Sequence, residues 1–288
     1  MTRKRLDVLL VERGLAESRA QAQALVMAGL VRGHAKPGEQ VDEEAPLEVE
    51  RPPPYVSRAG AKLANALDAF GVDVAGLDCL DVGASTGGFT DVLLGRGARQ
   101  VVSVDVGRGQ LLERLRRDPR VVALDRTNVR TAALADLGGV AFEVVVADLS
   151  FISLRTVAPR LAGELAAPGA DLVWLVKPQF EAGREAAARG HGVIRDPRTW
   201  RAAVAGVGHA LTRVGAAIMG AVSSPVRGAD GNVEFFVWAR AHTPGGLLPD
   251  AAAAAAVVDV GTVAAVVDAA AAAAMVDAVA DQGRDDEP

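Results

Sequence analysis

The stretch Asp81-Val82-Gly83-Ala84-Ser85-Thr86-Gly87-Gly88-Phe89-Thr90 constrains this chain more than any other. An apolar run from Leu77 to Val82 leads into it and reads as a buried parallel strand. The small residues make a tight turn, and Phe89, Val92, Leu93 and Leu94 mark the apolar side of a helix that leaves it. Strand, glycine turn and helix start form the place where an open α/β sheet holds a small charged ligand. Glycine admits close approach of the backbone, and the helix start presents free N–H groups.

The glycine order is GxxxGG rather than the GxGxxG of a dinucleotide site, and Asp81 precedes it at the strand end. A carboxylate there repels a pyrophosphate. It suits a ligand that carries an ammonium and a sulfonium, such as S-adenosylmethionine. A second acid, Asp105, closes the next apolar run, Val101-Val102-Ser103-Val104, where a carboxylate reaches a ribose diol. The alternative is a glycine-rich turn that holds no ligand.

From Leu77 onward, strand-length apolar runs alternate with helical patterns. The runs are Val101–Val104, Val121–Leu124, Val144–Val146 and Leu172–Val176. Such alternation predicts a parallel sheet with helices on both faces. The last two runs, Ala216–Val222 and Glu234–Trp238, are joined by a short Pro/Gly loop and read as an antiparallel pair. The expected fold class is therefore α/β, a doubly wound Rossmann-like sheet of the S-adenosylmethionine-dependent methyltransferase type, with a small α+β domain at the N-terminus.

That small domain covers residues 1–50. Leu6, Leu9 and Leu10 have helical spacing and Gly14 ends their helix; Ser18 caps a second helix with Ala22, Leu25 and Val26 on its apolar side. Gly29 stops it, and Leu30-Val31, Val41 and Leu47-x-Val49 suggest short strands. The net charge of −5 conceals the local balance: residues 249–288 carry a net of −7, the remainder +2, and residues 1–36 alone +4. Local basicity points to a polyanionic partner. Arg3, Arg5, Arg19 and Arg32 are the candidate RNA contacts, the alternative being a basic solvated face.

Arg51-Pro52-Pro53-Pro54 cannot join a helix or a central strand, so residues 51–56 read as a linker. Ser57 then caps a helix from Arg58 to Phe70, within a domain 57–245. Residues 246–288 form an Ala/Asp-rich tail in which Asp259, Asp268 and Asp277 recur every nine residues; weak helix and solvated extension both fit. One cysteine, Cys79, permits no internal disulfide, and no Cys/His cluster has zinc spacing, so no metal is expected. Met1–Arg5 is basic but no apolar segment follows as in a signal peptide, and no uncharged apolar run approaches the roughly 18 residues that span a bilayer. A cytoplasmic protein is expected.

Four polar residues stand at strand ends or on the helix before the first strand of the sheet: Lys62, Asp148, Lys177 and Glu234. Two lysines and two acids suit methylation of a sugar hydroxyl. The hydroxyl must lose its proton, a nearby second cation and desolvation favour the neutral amine that takes it, and the acids orient the amines. Each residue also has an ordinary reading: a surface lysine, a helix cap, a solvated strand-end lysine, a strand-edge acid.

Arg5-Leu6-Asp7, Ser18-Arg19-x-x-Ala22 and Gly29-x-Val31 resemble the alpha-L RNA-binding fold of the S-four type, without its usual Val-Asn-Gly turn. Lys62, Asp148, Lys177 and Glu234 resemble the Lys-Asp-Lys-Glu tetrad of the FtsJ/RrmJ-like ribose 2′-O-methyltransferases. With Ser57-Arg58-Ala59-Gly60-Ala61-Lys62-Leu63, Asp105-Val106-Gly107, Arg126-Thr127-Asn128, Asp148-Leu149-Ser150-Phe151-Ile152-Ser153, Val176-Lys177-Pro178-Gln179-Phe180-Glu181 and Gly231-Asn232-Val233-Glu234, the chain to about residue 245 is similar to the TlyA family. Members are described as rRNA cytidine 2′-O-methyltransferases and as haemolysins. The resemblance implies S-adenosylmethionine held by Asp81, Gly83, Ala84, Ser85, Gly87, Gly88, Phe89, Asp105, Val106 and Asn128, with Lys177 as base and ribosomal RNA or ribosomal subunits as partner. The segment Glu181 to Arg195, with Gly183, Gly190 and Gly192, reads as a mobile loop that closes on the ribose, a plain surface loop being the alternative. An RNA-binding protein with an inert methyltransferase fold and a membrane-lytic protein are the competing readings.

Overall fold

The computed structural model describes residues 3–16, 18–27, 29–49, 55–183, 192–228 and 230–242. The prolines of the expected linker, the centre of the expected closing loop and the Ala/Asp-rich tail lie outside the described residues. The chain divides into two units, Met1–Pro54 and Tyr55–Pro288.

In the first unit, β1 (Arg3–Arg5) pairs antiparallel with β2 (Gln40–Asp42), Lys4 opposite Val41. Helices α1 (Leu6–Glu12) and α2 (Arg19–Met27) pack on each other through Leu6, Leu9, Leu10, Ala22, Leu25 and Val26. Ser18 Oγ accepts the Gln21 N–H, the expected cap. The strands expected at Leu30-Val31 and Leu47–Val49 shrink to a single bridge between Val31 and Val49. The strand β1 has no counterpart in the hydrophobic pattern, because its three residues are all basic and show no alternation.

The second unit is built on a seven-stranded sheet in the order β5-β4-β3-β6-β7-β9-β8. The strands are β3 (Asp78–Val82), β4 (Gln100–Val104), β5 (Val121–Leu124), β6 (Phe142–Ala147), β7 (Ala166–Val176), β8 (Ala217–Ser223) and β9 (Phe235–Arg240). β3 to β7 are parallel; β9 runs antiparallel to both β7 and β8. The helices are α3 (Arg58–Phe70), α4 (Gly88–Gly95), α5 (Glu113–Arg116), α6 (Leu154–Arg160), α7 (Pro178–Glu181) and α8 (Pro197–Arg213). α3 and α4 cover one face of the sheet through Leu63, Leu67, Phe89, Val92 and Phe236, and α6 and α8 cover the other through Val157, Val207, Leu211, Trp174 and Phe235. The sheet is thus doubly wound, and its strands are apolar on both sides because both sides are covered. Cys79 is one of these core residues, and burial pushes its thiol up to about 12.

Tyr55 and Val56 belong to this unit: the Val56 N–H donates to Asp91 on α4 at 3.0 Å. Ser57 has the extended backbone of an N-cap but makes no side-chain cap bond. Its hydroxyl instead occupies the space beside Gly88, where a Cβ would also lie 2.9 Å from the Gly60 backbone nitrogen. Two glycines therefore let the N-terminal turns of α3 and α4 touch backbone to backbone, which carries Lys62 over the glycine turn. Gly88→Ala is expected to force these helices apart and destabilise the protein by about 1–3 kcal/mol. Chemical denaturation measures it, and an unchanged midpoint contradicts the close-approach argument.

Candidate active site

Parallel strands β6 and β7 end at the same edge of the sheet. Asp148 follows the first and Lys177 the second. Antiparallel β9 begins at that edge, with Phe235 opposite Val176, so Glu234 emerges beside Lys177. Lys62 arrives from the second turn of α3. Lys62 Nζ lies 2.5 Å from Glu234 Oε2, and both side chains are buried. Lys177 Nζ lies 2.6 Å from Asp148 Oδ1, donates to Ser150 Oγ at 3.1 Å and stands 6.0 Å from the centre of the Phe180 ring. All four residues border one cavity of about 310 Å³ together with Gly83, Ser85 and Gly88. Each ammonium has a carboxylate, so the cluster is locally neutral and can be held away from water.

A second cavity, of about 460 Å³, adjoins it. The two share Gly83, Ser85, Asp148 and Ser150 as common wall. Asp105, Val106 and Asn128 border this larger space, Val106 with 71 % of its surface exposed. The Asp105 carboxylate accepts the Ser85 N–H at 2.9 Å and the Gly107 N–H at 2.7 Å, fixing the turn on both sides. Asn128 Oδ1 accepts the Arg130 N–H. Gly83 has φ +84°, and a Cβ there would run into the Asp148 carbonyl. Ala84, Gly88 and Phe89 border the smaller cavity instead.

Asp81 and Gly87 border neither of these two cavities. Gly87, at φ +99°, leaves room for the Leu111 and Leu115 side chains beneath the turn. Asp81 is fully buried; Oδ2 accepts the Thr90 hydroxyl at 2.6 Å, and Thr90 in turn meets Ser103 at 2.8 Å. Its Oδ1 has no hydrogen-bond partner among the described residues. Burial pushes its carboxyl up to about 7, the Thr90 bond opposing the shift.

Two features were not singled out from sequence. Phe151 holds φ +66°, an outlying conformation for a bulky residue, with 91 % of its surface exposed, and its ring lies tilted against Phe180 with centroids 5.1 Å apart. Asn232, buried, accepts the Ile194 N–H and donates to the Gly192 carbonyl, clamping that segment to the turn before Glu234. One signal could have found the lysines more directly. The chain has four lysines against 27 arginines, and two of the four stand in this cavity.

In the first unit, Arg5 and Arg19 converge on the buried Asp7, each donating to Oδ2 at 3.0 Å, and Gln23 joins them at 2.9 Å. The Arg5 guanidinium beside Asp7 holds its carboxyl well below the usual carboxylate range. Arg32 pairs with Glu48 at 2.9 Å, and Arg3 is exposed on β1.

The sequence pattern of the FtsJ-like methyltransferases matches residues 55–241, and that of the S4 domain matches residues 4–32. A Mycobacterium tuberculosis protein named 16S/23S rRNA (cytidine-2'-O)-methyltransferase TlyA is 49 % identical over 247 residues, spanning 84 % of this chain and 91 % of its own. Hemolysin A of Brachyspira hyodysenteriae is 37 % identical over 236 residues, 80 % of this chain and 97 % of its own. A solved structure of a candidate hemolysin from Streptococcus thermophilus superposes with a TM-score of 0.67 at 38 % identity, covering 92 % of this chain and 96 % of that one.

The raised Asp81 carboxyl has a measurable consequence in the ligand-free protein. Below about pH 4 the acid is protonated in folded and unfolded chains alike. From there to about 7 the unfolded chain releases its proton while the folded one keeps it, so stability falls as pH rises and then levels off. Asp81→Asn removes this fall. Its stability advantage over the parent is expected to grow by about 2–4 kcal/mol between pH 4 and 8, read by urea denaturation. A difference that stays constant with pH contradicts the buried-carboxylate reading.

Proposed function

The chain belongs to the FtsJ-like methyltransferases, and on that premise we propose that it methylates the ribose 2′-oxygen of cytidine in ribosomal RNA, with S-adenosylmethionine as donor. The carrying observation is the two lysine–carboxylate pairs in one cavity that shares a wall with the glycine-turn cavity. The larger cavity fits the donor. Asp105 offers carboxylate oxygens to a ribose diol, Gly83 and Ser85 form part of the wall, and exposed Val106 gives a flat ring an apolar edge. Asn128 stands where it can meet the ring's polar edge. Once ionised, the buried Asp81 carboxylate, whose Oδ1 has no partner among the described residues, adds negative potential beneath the turn, and a cationic ligand favours that ionised form. Bound there, S-adenosylmethionine supplies an electrophilic methyl group.

The chain's own residues do the rest. Lys177 acts as general base in its neutral amine form: its ammonium proton is first released to water, and the amine then takes the 2′-hydroxyl proton as that oxygen takes the methyl group. Asp148 and Ser150 hold that amine at one point, and Glu234 holds Lys62 facing the same cavity. General-base help of this kind is worth about 10²–10⁴ in rate. Only lysine serves here, because an arginine does not give up its proton in a protein. Phe151 presents an aromatic face at the mouth of the site, the kind of surface on which nucleobases stack.

The S4 domain supplies affinity for RNA. Asp7 locks Arg5 and Arg19 side by side, a paired-guanidinium arrangement suited to phosphates, and Arg3 and Arg32 extend the basic surface. The layout is an RNA-binding domain over 1–50, a linker over 51–54, a methyltransferase domain from Tyr55 to about 245 and a tail over 246–288, acting on ribosomal subunits in the cytoplasm. The word hemolysin belongs to the names of relatives. Among the described residues no helix is long and apolar enough to cross a membrane.

Lys177→Ala and Lys177→Arg separate proton transfer from charge. Both are expected to lose about 10²–10⁴ in kcat for incorporation of labelled methyl into ribosomal subunits, with cofactor affinity within a few fold of the parent. An active arginine variant removes Lys177 from the role of base.

A further inference from the structure

Lys177 and Asp148 follow neighbouring strands, but the chain departs from those strands in different directions. After Asp148 it runs through Ser153 into α6; after Lys177 it enters α7, which is only four residues long. A helix of that length has no stability of its own, so its place, and with it the direction of Lys177, is set by outside contacts. The polar ones centre on one side chain, beside the contact of Phe180 with Phe151. Glu181 ends α7 and is buried. Its Oε1 accepts the Leu154 N–H at 2.7 Å; its Oε2 accepts the Ser153 hydroxyl at 2.5 Å and Arg155 Nε at 3.1 Å. Arg155 also reaches the Glu181 backbone carbonyl at 2.7 Å. On its other side the Arg155 stem lies against Gly206 of α8, where a Cβ would come within 3.3 Å of it. The Phe180 N–H donates to the Lys177 carbonyl and the Ala182 N–H to the Pro178 carbonyl, so the turn between Glu181 and Lys177 is itself stiff.

We infer that Glu181 is a positioning residue for methyl transfer: its buried carboxylate clasps the segment after β7 to the segment after β6 and so sets the separation of Lys177 from Asp148. The inference rests on the reading of Lys177 as base. Each side-chain or backbone group that the carboxylate meets is a donor, namely an N–H, a hydroxyl and a guanidinium. An amide in its place turns its own NH₂ toward at least one of them, and the clasp opens. The sheet beneath is packed by its own apolar residues, Val145, Leu172 and Trp174 being fully buried, so the effect is expected on the lysine rather than on the fold.

The test compares the parent full-length chain with Glu181→Gln and the conservative Glu181→Asp. The first readout needs neither cofactor nor RNA: the acetylation rate of Lys177 by acetic anhydride, read by peptide mass spectrometry against exposed Lys36 in the same molecule. Glu181→Gln is expected to raise the Lys177-to-Lys36 ratio severalfold, with Glu181→Asp in between. The second is steady-state methyl transfer across pH. Glu181→Gln is expected to lose about tenfold or more in kcat, with KM for the cofactor little changed and the pH–rate profile displaced. An unaltered labelling ratio overturns the inference, and so does a fall in kcat with a pH profile that superimposes on the parent's. Should Glu181→Gln not fold, Glu181→Asp and Ser153→Ala are read by the same criteria. A parent enzyme that transfers no methyl to ribosomal RNA defeats the proposed function instead, and the labelling ratio still decides the clasp.

Discussion

Two ammonium groups share one small cavity, and each is held there by a carboxylate of its own. Like charges brought together out of water repel strongly, and an unpaired charge in such a place costs about 3–5 kcal/mol. The pairing of Lys62 with Glu234 and of Lys177 with Asp148 meets that constraint. Much of the second unit serves it. Parallel β6 and β7 deliver Asp148 and Lys177 to one edge, and the reversal of β9 brings Glu234 to the same edge. Had β9 run parallel to β7, its first residue would lie at the far end of the sheet.

The fourth group comes from outside the sheet. Lys62 reaches the cavity because Gly60 and Gly88 let α3 lie against the start of α4. The same glycine turn that borders the larger cavity therefore also seats the helix that carries Lys62. Asp105 ties the turn to the residues after β4, and the absent Cβ of Gly83 leaves room for the carbonyl of Asp148. The two cavities share a backbone framework, which explains how they can also share a wall.

The strands of the larger unit were legible because each is a run of apolar residues between turn signals, buried on both faces. The tetrad was legible because each member stands at a strand end or on the adjoining helix. Three things escaped for physical reasons. The strand Arg3–Arg5 shows no hydrophobic alternation, since its pairing depends on backbone bonds alone. Asp81 and Gly87 sit within a ligand-type motif yet border neither of the two cavities; a motif gives spacing along the chain but not which side of the turn a group faces. Glu181 read as the first residue of a loop, because nothing in Gln-Phe-Glu-Ala indicates that its carboxylate meets donors from a helix nearly thirty positions earlier.

The last strand inserted into the sheet has a consequence for how the protein is made. Lys62 and Glu234 are 172 positions apart, and β9 lies between β7 and β8 rather than at an edge. A nascent chain that has emerged only as far as β8 leaves one lysine without its carboxylate. A slip of β9 by one residue turns its side chains to the opposite face. The lysine–carboxylate cavity thus completes its charge balance only after the chain has been made through Glu234, and it depends on that strand being seated in register.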